Sequence, residues 1–233
     1  MKWDNQLINH LQWSNAIINR EGKEIVAQEI AAMAKDGDVI GAGSGSTVYL
    51  TLFALAERIR KESLHIEVIP ASAEISMTCI QLGIPQTPLW NKRPDWGFDG
   101  ADEVDPEKSL IKGRGGAMFK EKLLIKSSSK SFIIIDDTKL VDHLGSHFPI
   151  PVEVFPGALT FVESEMQRLG ASDVKLRLAG GKDGPVLTEN GNFIFDTRFS
   201  YVDPSLEQNL KAITGVIESG LFIGYNVEIV VAK

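Results

Sequence analysis

Hydrophobic positions in the first part of the chain alternate between helical spacing and short continuous runs. Val26, Ile30 and Met33 fall three or four residues apart, which predicts a helix that begins near Lys23. Similar apolar faces, one of them ending at Gly83, predict further helices over residues 48–59, 73–82 and 115–126. Short apolar runs predict strands over residues 39–42, 66–69 and 132–135, and a further short strand that ends at residues 98–99. Strands that alternate with helices favour a parallel sheet with right-handed crossovers.

The pattern changes at a cluster of prolines, Pro149, Pro151 and Pro156, which suggests a domain boundary. Beyond this cluster, an Asn-Gly turn at residues 190–191 predicts a β-hairpin. The other elements predicted here are a helix over residues 158–169, a strand over 174–178, hairpin arms over 186–188 and 193–195, and a helix over 206–213. These elements indicate a small α+β module.

The predicted fold class is α/β, with a Rossmann-like parallel-sheet domain and a smaller inserted α+β domain. Strand-like runs over residues 221–223 and 227–231 are expected to rejoin the first sheet. We therefore assign residues 1–144 plus 215–233 to the α/β domain and residues 145–214 to the small domain. Residues 1–20 have weak periodicity and form an N-terminal extension with room for one helix.

Composition and charge exclude several classes of protein. The net charge of −7 over 233 residues argues against a nucleic-acid-binding surface, which needs clustered Lys and Arg. No apolar run approaches the ~20 residues that span a bilayer, and no signal peptide is evident, so we expect a cytoplasmic protein without a membrane partner. The single cysteine, Cys79, excludes a disulfide within the chain. No metal site is expected, because Gly145 interrupts the spaced pair His143 and His147.

A first glycine-rich segment, GAGSGST at residues 41–47, follows a predicted strand and opens a predicted helix. Glycines let the backbone approach a ligand closely, and a helix N-terminus favours an anion such as phosphate. Ser44, Ser46 and Thr47 add hydroxyl donors. The segment matches neither the dinucleotide-binding fingerprint nor the Walker A motif. A tight turn with a hydroxyl N-cap is the alternative interpretation.

A second segment, DGADEVD at residues 99–105, contains four acids after a predicted strand end, where open α/β sheets bind ligands. Crowded carboxylates can raise one another's pKa values, which suits acid–base chemistry. A solvated acidic turn is the alternative. A divalent-cation loop does not fit, because the spacing of the acids is wrong for an EF-hand.

A third segment, KGRGGAMFKEK at residues 112–122, places cations around another glycine-rich loop before a predicted helix. Glu121 lies about six residues into that helix and is flanked by Lys120 and Lys122. Because immediate neighbours in a helix do not share a face, we expect both lysines to point away from Glu121. A solvated helix face is the alternative for this charged run.

In combination, these three segments resemble the type A ribose-5-phosphate isomerase family, whose members carry GTGST-like, DGADE and KGGGGA…EK segments in this order. Residues 136–139 and 148–154 resemble two further segments of the family, and the likeness covers roughly residues 23–224. The family interconverts ribose 5-phosphate and ribulose 5-phosphate through a cis-enediolate, in the non-oxidative pentose phosphate pathway, without a metal or cofactor. The resemblance also implies a ferredoxin-like small domain that acts in oligomerisation or as a lid, and a homodimer or homotetramer.

The resemblance assigns roles to individual residues. Glu121 matches the catalytic base and Lys112 matches the lysine that stabilises the enediolate. Asp99 matches the acid that opens the sugar ring, and Asp102 matches a ligand of the sugar hydroxyls and a candidate catalytic helper in ring opening. The remaining substrate-binding residues that it implies are Ser44, Gly45, Ser46, Thr47, Gly100, Ala101, Gly113, Gly115, Lys139 and Lys23, of which the two lysines match residues near the phosphate.

The chain departs from the family pattern at three places. Arg114 stands where the family often has Gly, and its side chain must leave the backbone path or add a cation to the site. Ser44 replaces a common Thr and keeps the hydroxyl. The N-terminus is longer than is typical, by roughly fifteen residues.

Two other classes of protein share parts of this pattern. A non-catalytic sugar-phosphate sensor would bind the same ligand, although it normally needs a DNA-binding module, for which the N-terminal extension is too short. An enzyme of similar architecture, such as an amino-sugar-phosphate deaminase or a CoA transferase, is the third possibility. The deaminase lacks an evident catalytic histidine near the three segments.

Overall fold

The computed structural model describes residues 6–13 and 16–232, and its chain divides into two compact units. Unit 1 comprises residues 1–100, 123–137 and 226–233, and unit 2 comprises residues 101–122 and 138–225. The predicted division into residues 1–144 plus 215–233 and residues 145–214 stays a prediction about domains. Among the described residues, no helix combines the length and the apolar character that crossing a membrane requires.

Helices and strands alternate along most of the described chain. The helices are α1 (Gln6–Asn9), α2 (Arg20–Ala31), α3 (Ser46–Glu62), α4 (Ala73–Leu82), α5 (Met118–Ser127), α6 (Leu159–Arg168) and α7 (Leu206–Ala212). The strands are β1 (Val39–Ala42), β2 (Glu67–Pro70), β3 (Trp96–Asp99), β4 (Glu103–Val104), β5 (Leu110–Ile111), β6 (Ser131–Asp136), β7 (Ile150–Val154), β8 (Ala171–Leu176), β9 (Phe193–Phe199), β10 (Val216–Ser219), β11 (Leu221–Phe222) and β12 (Val227–Ala232).

Unit 1 is built on a five-stranded parallel sheet in the order β12-β6-β3-β1-β2. Buried Val, Ile, Leu and Ala side chains of α2, α3 and α4 pack with the strands in one core. Because all five strands run in the same direction, their carboxyl ends lie at one edge of the sheet, where such sheets bind ligands. The parallel α/β architecture predicted from the alternating pattern is confirmed.

Helix α4 shows how local sequence sets an element. It spans the predicted residues 73–82 and ends at Gly83, whose φ of +70° is the left-handed conformation that glycine adopts without strain. The Gly83 N–H donates to the carbonyl of Ile80 and closes the last turn. Buried Ile75 and Cys79 lie four residues apart and turn one face of the helix into the core.

Unit 2 contains a four-stranded antiparallel sheet in the order β10-β7-β9-β8. Along the chain the elements run β7-α6-β8-β9-α7-β10, which is the ferredoxin-like arrangement, so this expectation is also confirmed. Val162, Met166 and Leu210 of the two helices share a buried core with Val152 and Phe195 of the sheet.

A second sheet of unit 2, in the order β11-β5-β4, is absent from the sequence-based interpretation. Its strands are two residues long and carry no periodicity that a pattern could reveal. The expectation for the two C-terminal runs is therefore half right, because β12 joins the parallel sheet of unit 1 whereas β11 pairs with β5 in unit 2.

The hairpin predicted over residues 186–195 is wrong. Residues 186–188 form no hairpin arm, because Thr188 uses its hydroxyl to donate to the buried carboxylate of Glu153, and β9 pairs with β7 and β8 instead. The turn at residues 190–191 exists, closed by the Thr188 N–H donating to the Asn192 carbonyl. Pro151 lies inside β7, and the domain boundary suggested by the nearby prolines stays a prediction.

Candidate active site

The loop between β1 and α3 in unit 1 is shaped around a buried carboxylate. The Gly43 N–H donates to the Phe98 carbonyl, 2.9 Å away, and a Cβ at position 43 would overlap the carboxylate of Asp99. Gly45 has a φ of +95°, which an L side chain rarely adopts, and the chain then enters α3 at Ser46. Glycine is therefore required at these two positions for different reasons. Position 43 has no space for a Cβ, and position 45 has a backbone conformation that L side chains rarely adopt.

Asp99 ends β3 at the carboxyl edge of the parallel sheet and is 2% exposed. Its Oδ1 accepts hydrogen bonds from the backbone N–H groups of Ser44, at 3.1 Å, and Gly100, at 2.7 Å. Hydrogen bonds to an ionised carboxylate are among the stronger ones in proteins. The Asp99 side chain thus joins the β1–α3 loop to the start of the acidic segment at the carboxyl edge of the sheet.

The hydroxyl group of Ser44 donates to the carboxylate of Glu74, 2.7 Å away on the first turn of α4, and lies 3.2 Å from the Ser72 hydroxyl. Ser46 is half-buried and Thr47 is buried at the start of α3. The contact of Glu74 with Ser44 could not be predicted from the sequence, because nothing near Glu74 in the chain shows that α4 begins beside the β1–α3 loop. Its carboxylate fixes the Ser44 hydroxyl.

Lys23 lies on α2, and its ammonium is 3.9 Å from the carboxylate of Asp136 at the end of β6. Both side chains are largely buried. Since β6 is the neighbour of β3, Asp136 and Asp99 end adjacent parallel strands. Lys23 is therefore held at the same edge of the unit 1 sheet, and its predicted contact with a phosphate stays a prediction.

In unit 2, Lys112 and Glu121 form a buried ion pair. The Lys112 ammonium is 3.4 Å from the Glu121 carboxylate, and both residues are at most 5% exposed. The backbone of Lys112 is fixed by its N–H, which donates to the Gly220 carbonyl at 2.9 Å. The structure thus brings together the two residues to which the resemblance assigns the central roles.

The loop of residues 113–116 sets where α5 begins. Gly113 has a φ of +100° and Gly116 a φ of +82°, and the Gly116 N–H donates to the Gly113 carbonyl at 3.0 Å. This turn delays the helix to Met118, so the predicted start at residue 115 is wrong. Glu121 consequently lies in the first turn of α5 rather than six residues into it.

Arg177 holds this loop from outside. Its Nη1 donates to the carbonyls of Gly113, at 3.1 Å, and Arg114, at 2.8 Å, while the guanidinium is paired with Asp196. The Arg114 N–H donates to the Asp102 carboxylate at 3.2 Å, and the Arg114 side chain is exposed. The contact of Arg177 with this loop could not be predicted from the sequence, because 63 residues separate Arg177 from Arg114. The loop is therefore fixed at both faces of its backbone.

The acids of residues 99–105 have separate partners rather than one shared site. Glu103 is fully buried and accepts from the backbone N–H groups of Gly145, His147 and Phe148. Burial raises the pKa of Asp105, and the nearby charge of Glu107 adds to that shift. The Glu103 carboxylate therefore anchors the loop of residues 145–148.

The two lysines beside Glu121 point away from it, as expected. Lys120 pairs with Glu189 at 2.5 Å, and Lys122 contacts Glu207 and Glu218 at 2.8 and 2.9 Å. The alternative of a solvated helix face is wrong for Lys122, which is 2% exposed.

Lys139, Ala101 and Gly115 are the remaining predicted residues of unit 2. Lys139 ends a short 3₁₀ helix, and its ammonium is 5.2 Å from the centre of the Phe148 ring. Ala101 is half-buried at the first position of unit 2. Gly115 is exposed within its loop, with open space where a Cβ would lie. Substrate contacts of these three residues stay predictions.

Comparison with known proteins gives a consistent result. Residues 67–233 match the family model of ribose 5-phosphate isomerase A (phosphoriboisomerase A). The chain is 41% identical over 204 residues to the ribose-5-phosphate isomerase A of Methanothermobacter thermautotrophicus, which covers 87% of this chain and 89% of that protein.

Solved structures agree with the sequence comparison. The ribose 5-phosphate isomerase A of Methanocaldococcus jannaschii superposes with a TM-score of 0.89 and 39% identity, covering 92% of this chain and 96% of that one. A D-ribose-5-phosphate isomerase in complex with phospho-erythronic acid superposes with a TM-score of 0.87 and 37% identity, covering 91% of this chain and 94% of that one. This chain belongs to the ribose 5-phosphate isomerase A family.

Proposed function

We propose that this enzyme interconverts D-ribose 5-phosphate and D-ribulose 5-phosphate, with the buried Lys112–Glu121 pair of unit 2 at the centre of the reaction. The observation that carries the proposal is the 3.4 Å distance between the Lys112 ammonium and the Glu121 carboxylate, on residues that are almost fully buried. A carboxylate base and a fixed positive charge are the two groups that proton transfer next to a carbonyl requires.

In the proposed reaction, Glu121 removes the proton from C2 of the open-chain aldose. The C2 electron pair forms the C1–C2 double bond and the carbonyl oxygen on C1 becomes the oxyanion of a cis-enediolate, which the Lys112 ammonium stabilises. The hydroxyl proton on C2 passes to the C1 oxygen, and Glu121 returns the carried proton to C1. The ketose results with no atom gained or lost, and no oxidant or cofactor enters the balance.

Burial excludes water from Lys112 and Glu121 and so strengthens their electrostatic interactions with the substrate. A charge fixed before the reaction in a site that excludes water stabilises the oxyanion without reorganisation, and losing one such donor typically costs ~3–4 kcal/mol of transition-state stabilisation. The strand β5, the Gly113–Gly116 turn and the first turn of α5 fix the backbone on either side of the pair. This local order supports Lys112 and Glu121 as catalytic residues.

We further propose that Asp99 opens the furanose ring and that Asp102 binds sugar hydroxyls. The two N–H groups on Oδ1 hold the Asp99 carboxylate in one orientation, which a proton carrier needs. The proposed substrate contacts are made by Ser44, Gly45, Ser46, Thr47, Gly100, Ala101, Gly113, Gly115, Lys23 and Lys139. Backbone N–H groups at the start of α3 support an anion-binding role for residues 44–47.

The phospho-erythronic acid complex of a 37% identical isomerase supports a small phosphorylated ligand for this chain. Family membership supports our further proposal that the reaction belongs to the non-oxidative pentose phosphate pathway, and we expect a cytoplasmic location. Arg114 is the residue most able to change substrate preference, because its exposed side chain follows Gly113 directly. A binding-only sensor remains an outcome that the following experiment can reveal.

The test is turnover of ribose 5-phosphate in the presence of EDTA, for the wild type, Glu121→Gln and Lys112→Met. Each substitution is expected to lower kcat at least ~100-fold, because it removes the base or the preorganised charge. Lys120→Gln is the matched control, since it removes a charge one position from Glu121 on the exposed Lys120–Glu189 pair, and should stay within ~2-fold of the wild type. A folded wild type that binds ribose 5-phosphate without turnover would contradict the proposal.

We also propose that the inserted domain, residues 145–214, mediates self-association to a homodimer or homotetramer. Large apolar side chains are exposed on it, among them Leu178 at 70% and Phe161 at 53%. Light scattering after size-exclusion chromatography tests this role. Phe161→Ser together with Leu178→Ser should lower the molar mass to that of one chain, and an unchanged mass would assign association elsewhere.

A further inference from the structure

Lys122 carries a buried charge that the proposed reaction does not use. Its ammonium donates to Glu207 at 2.8 Å and to Glu218 at 2.9 Å, and lies 4.7 Å from the centre of the Phe222 ring. An ammonium has three N–H donors, so two carboxylates and an aromatic face account for its surroundings. A buried ion pair by itself is weak evidence that the pair stabilises the fold, so this cluster can serve another role.

The Phe222 ring connects this cluster to the proposed catalytic lysine. Lys112 places its ammonium 5.9 Å from the centre of the same ring, which is fully buried. The backbones are joined as well, because β11, which contains Phe222, pairs with β5, which ends immediately before Lys112. One aromatic side chain is therefore shared by the two buried ammonium groups.

The two carboxylates are fixed by further groups. Glu207 accepts from the Tyr225 hydroxyl at 2.6 Å and from the Ile223 N–H at 2.8 Å. Burial raises the pKa of Tyr225, and its hydrogen bond to Glu207 raises that pKa further, so the hydroxyl stays a donor.

Burial alone would raise the pKa of Glu218, but Lys122, the Ser219 N–H and Lys211 outweigh it and leave this pKa below its ordinary value. Glu218 is therefore an anion at neutral pH. Lys122 thus lies between two carboxylates that their other partners hold in place.

We propose that Lys122 is a positioning residue for the isomerase reaction, which fixes Glu121 through the first turn of α5 and Lys112 through the Phe222 ring. The inference rests on the proposed function. Lys122 follows Glu121 directly, so anchoring its side chain to Glu207 and Glu218 sets the rotation of the helical turn that carries the base. Misplacing a reacting group by ~1 Å can cost on the order of 100-fold in rate.

The experiment is a double-mutant cycle of Lys122→Met and Phe222→Leu, with kcat and KM measured for ribose 5-phosphate. Lys122→Met should lower kcat ~30-fold and Phe222→Leu ~10-fold, with KM within ~3-fold of the wild type, because binding groups are untouched. If both act through one contact, the double variant should lose no more than ~50-fold, well short of the ~300-fold of independent effects.

Two variants separate positioning from simple structural support. Lys122→Arg keeps a cation that can reach both carboxylates and should restore kcat to within ~5-fold of the wild type. Lys120→Met makes the same change from ammonium to methyl group on the exposed neighbour and should leave kcat within ~2-fold. Circular dichroism and the thermal midpoint establish for each variant that the protein is folded.

The outcomes distinguish this inference from the proposed function. Normal kcat in folded Lys122→Met, while Lys112→Met remains inactive, overturns the inference and leaves the proposed function standing. Multiplicative losses in the double variant also overturn it. A folded wild type without turnover overturns both. If Lys122→Met fails to fold, Tyr225→Phe takes its place, and its kcat should fall ~3- to 10-fold at unchanged KM, since it removes one donor from Glu207; an unchanged kcat overturns the inference.

Discussion

The two glycine-rich loops of this protein look alike in sequence and are held in different ways. Each follows a strand and precedes a helix, one at residues 43–45 in unit 1 and the other at residues 113–116 in unit 2. In the first, Gly43 leaves room for the buried carboxylate of Asp99. In the second, Gly113 and Gly116 supply positive φ angles, and Arg177 binds the outward carbonyls.

This difference shows that similar glycine-rich sequences can meet different structural requirements, the space for a side chain in one loop and a backbone conformation in the other. The unit 1 loop presents backbone N–H groups and accepts a negative side chain, which suits a site for anions and hydroxyls. The unit 2 loop presents carbonyls to an arginine and connects Lys112 to the helical turn that carries Glu121. Two similar glycine-rich sequences therefore form loops of opposite polarity, one presenting N–H donors and the other presenting carbonyl acceptors.

Among substitutions in the two loops, we expect the largest loss of stability and activity at Gly43. Gly43→Ala must displace the Asp99 carboxylate or shift the loop, and we expect a loss of more than ~4 kcal/mol in the free energy of unfolding together with loss of turnover. Tryptophan fluorescence during urea unfolding is the measurement, because all four tryptophans precede residue 97.

Gly45→Ala is the control for this substitution, since its φ of +95° is unfavourable but the space beside it is open, and we expect a cost of ~1 kcal/mol. Equal stabilities of the two variants would show that space at residue 43 is not the constraint.

The next effect is at Gly113. A Cβ there would lie 2.7 Å from the Met118 Cε and 3.0 Å from its Cβ, on a backbone with a φ of +100°. We expect Gly113→Ala to cost ~2–4 kcal/mol, from backbone strain and from displacing Met118 at the start of α5. Far-UV circular dichroism during unfolding measures it, and a cost below ~1 kcal/mol would contradict the account of this loop.

A smaller effect is expected at Arg177, which would sharpen the comparison by removing the outside support of one loop. Arg177→Lys keeps the charge and loses the planar group that reaches two carbonyls and Asp196 together. We expect kcat to fall ~10-fold and stability to fall ~1–2 kcal/mol. Steady-state kinetics with ribose 5-phosphate decides, and wild-type kcat in this variant would show that the loop keeps its conformation without the guanidinium.

The smallest effect is expected at Gly115. This glycine has no positive φ, and a Cβ there would meet open space. Gly115→Ala should therefore change the free energy of unfolding by no more than ~0.5 kcal/mol. A larger loss, measured by the same unfolding experiment as for Gly113→Ala, would mean that position 115 requires glycine although its φ is not positive.

Local patterns predicted the parallel sheet and several helices, since these depend on periodicity and on stop signals such as Gly83. They failed where a distant partner decides the structure. Thr188 lies in a loop because its hydroxyl binds Glu153, 35 residues away. Strand β10 contains the buried Glu218, a residue type that a sequence pattern assigns to the surface.

In the candidate site, too, some residues were predicted from the sequence and others depend on distant contacts. The resemblance identified Lys112 and Glu121, and the structure places their charged groups in one buried pair. The contacts of Arg177 and Phe222 with the 112–122 segment could not be predicted, because an arginine just after β8 and a phenylalanine on β11 carry no local sign of them. Contacts between elements far apart in sequence are set by the tertiary fold, which a pattern along the chain does not encode.

The central claim is that Glu121, paired with Lys112, carries the proton between C2 and C1. The most direct test follows ribose 5-phosphate deuterated at C2 by NMR, with the folded wild type, Glu121→Gln and Lys120→Gln. The account predicts that the wild type and Lys120→Gln remove the C2 deuterium as ribulose 5-phosphate forms, whereas Glu121→Gln leaves it in place. Loss of the C2 deuterium at the wild-type rate in Glu121→Gln would contradict the claim.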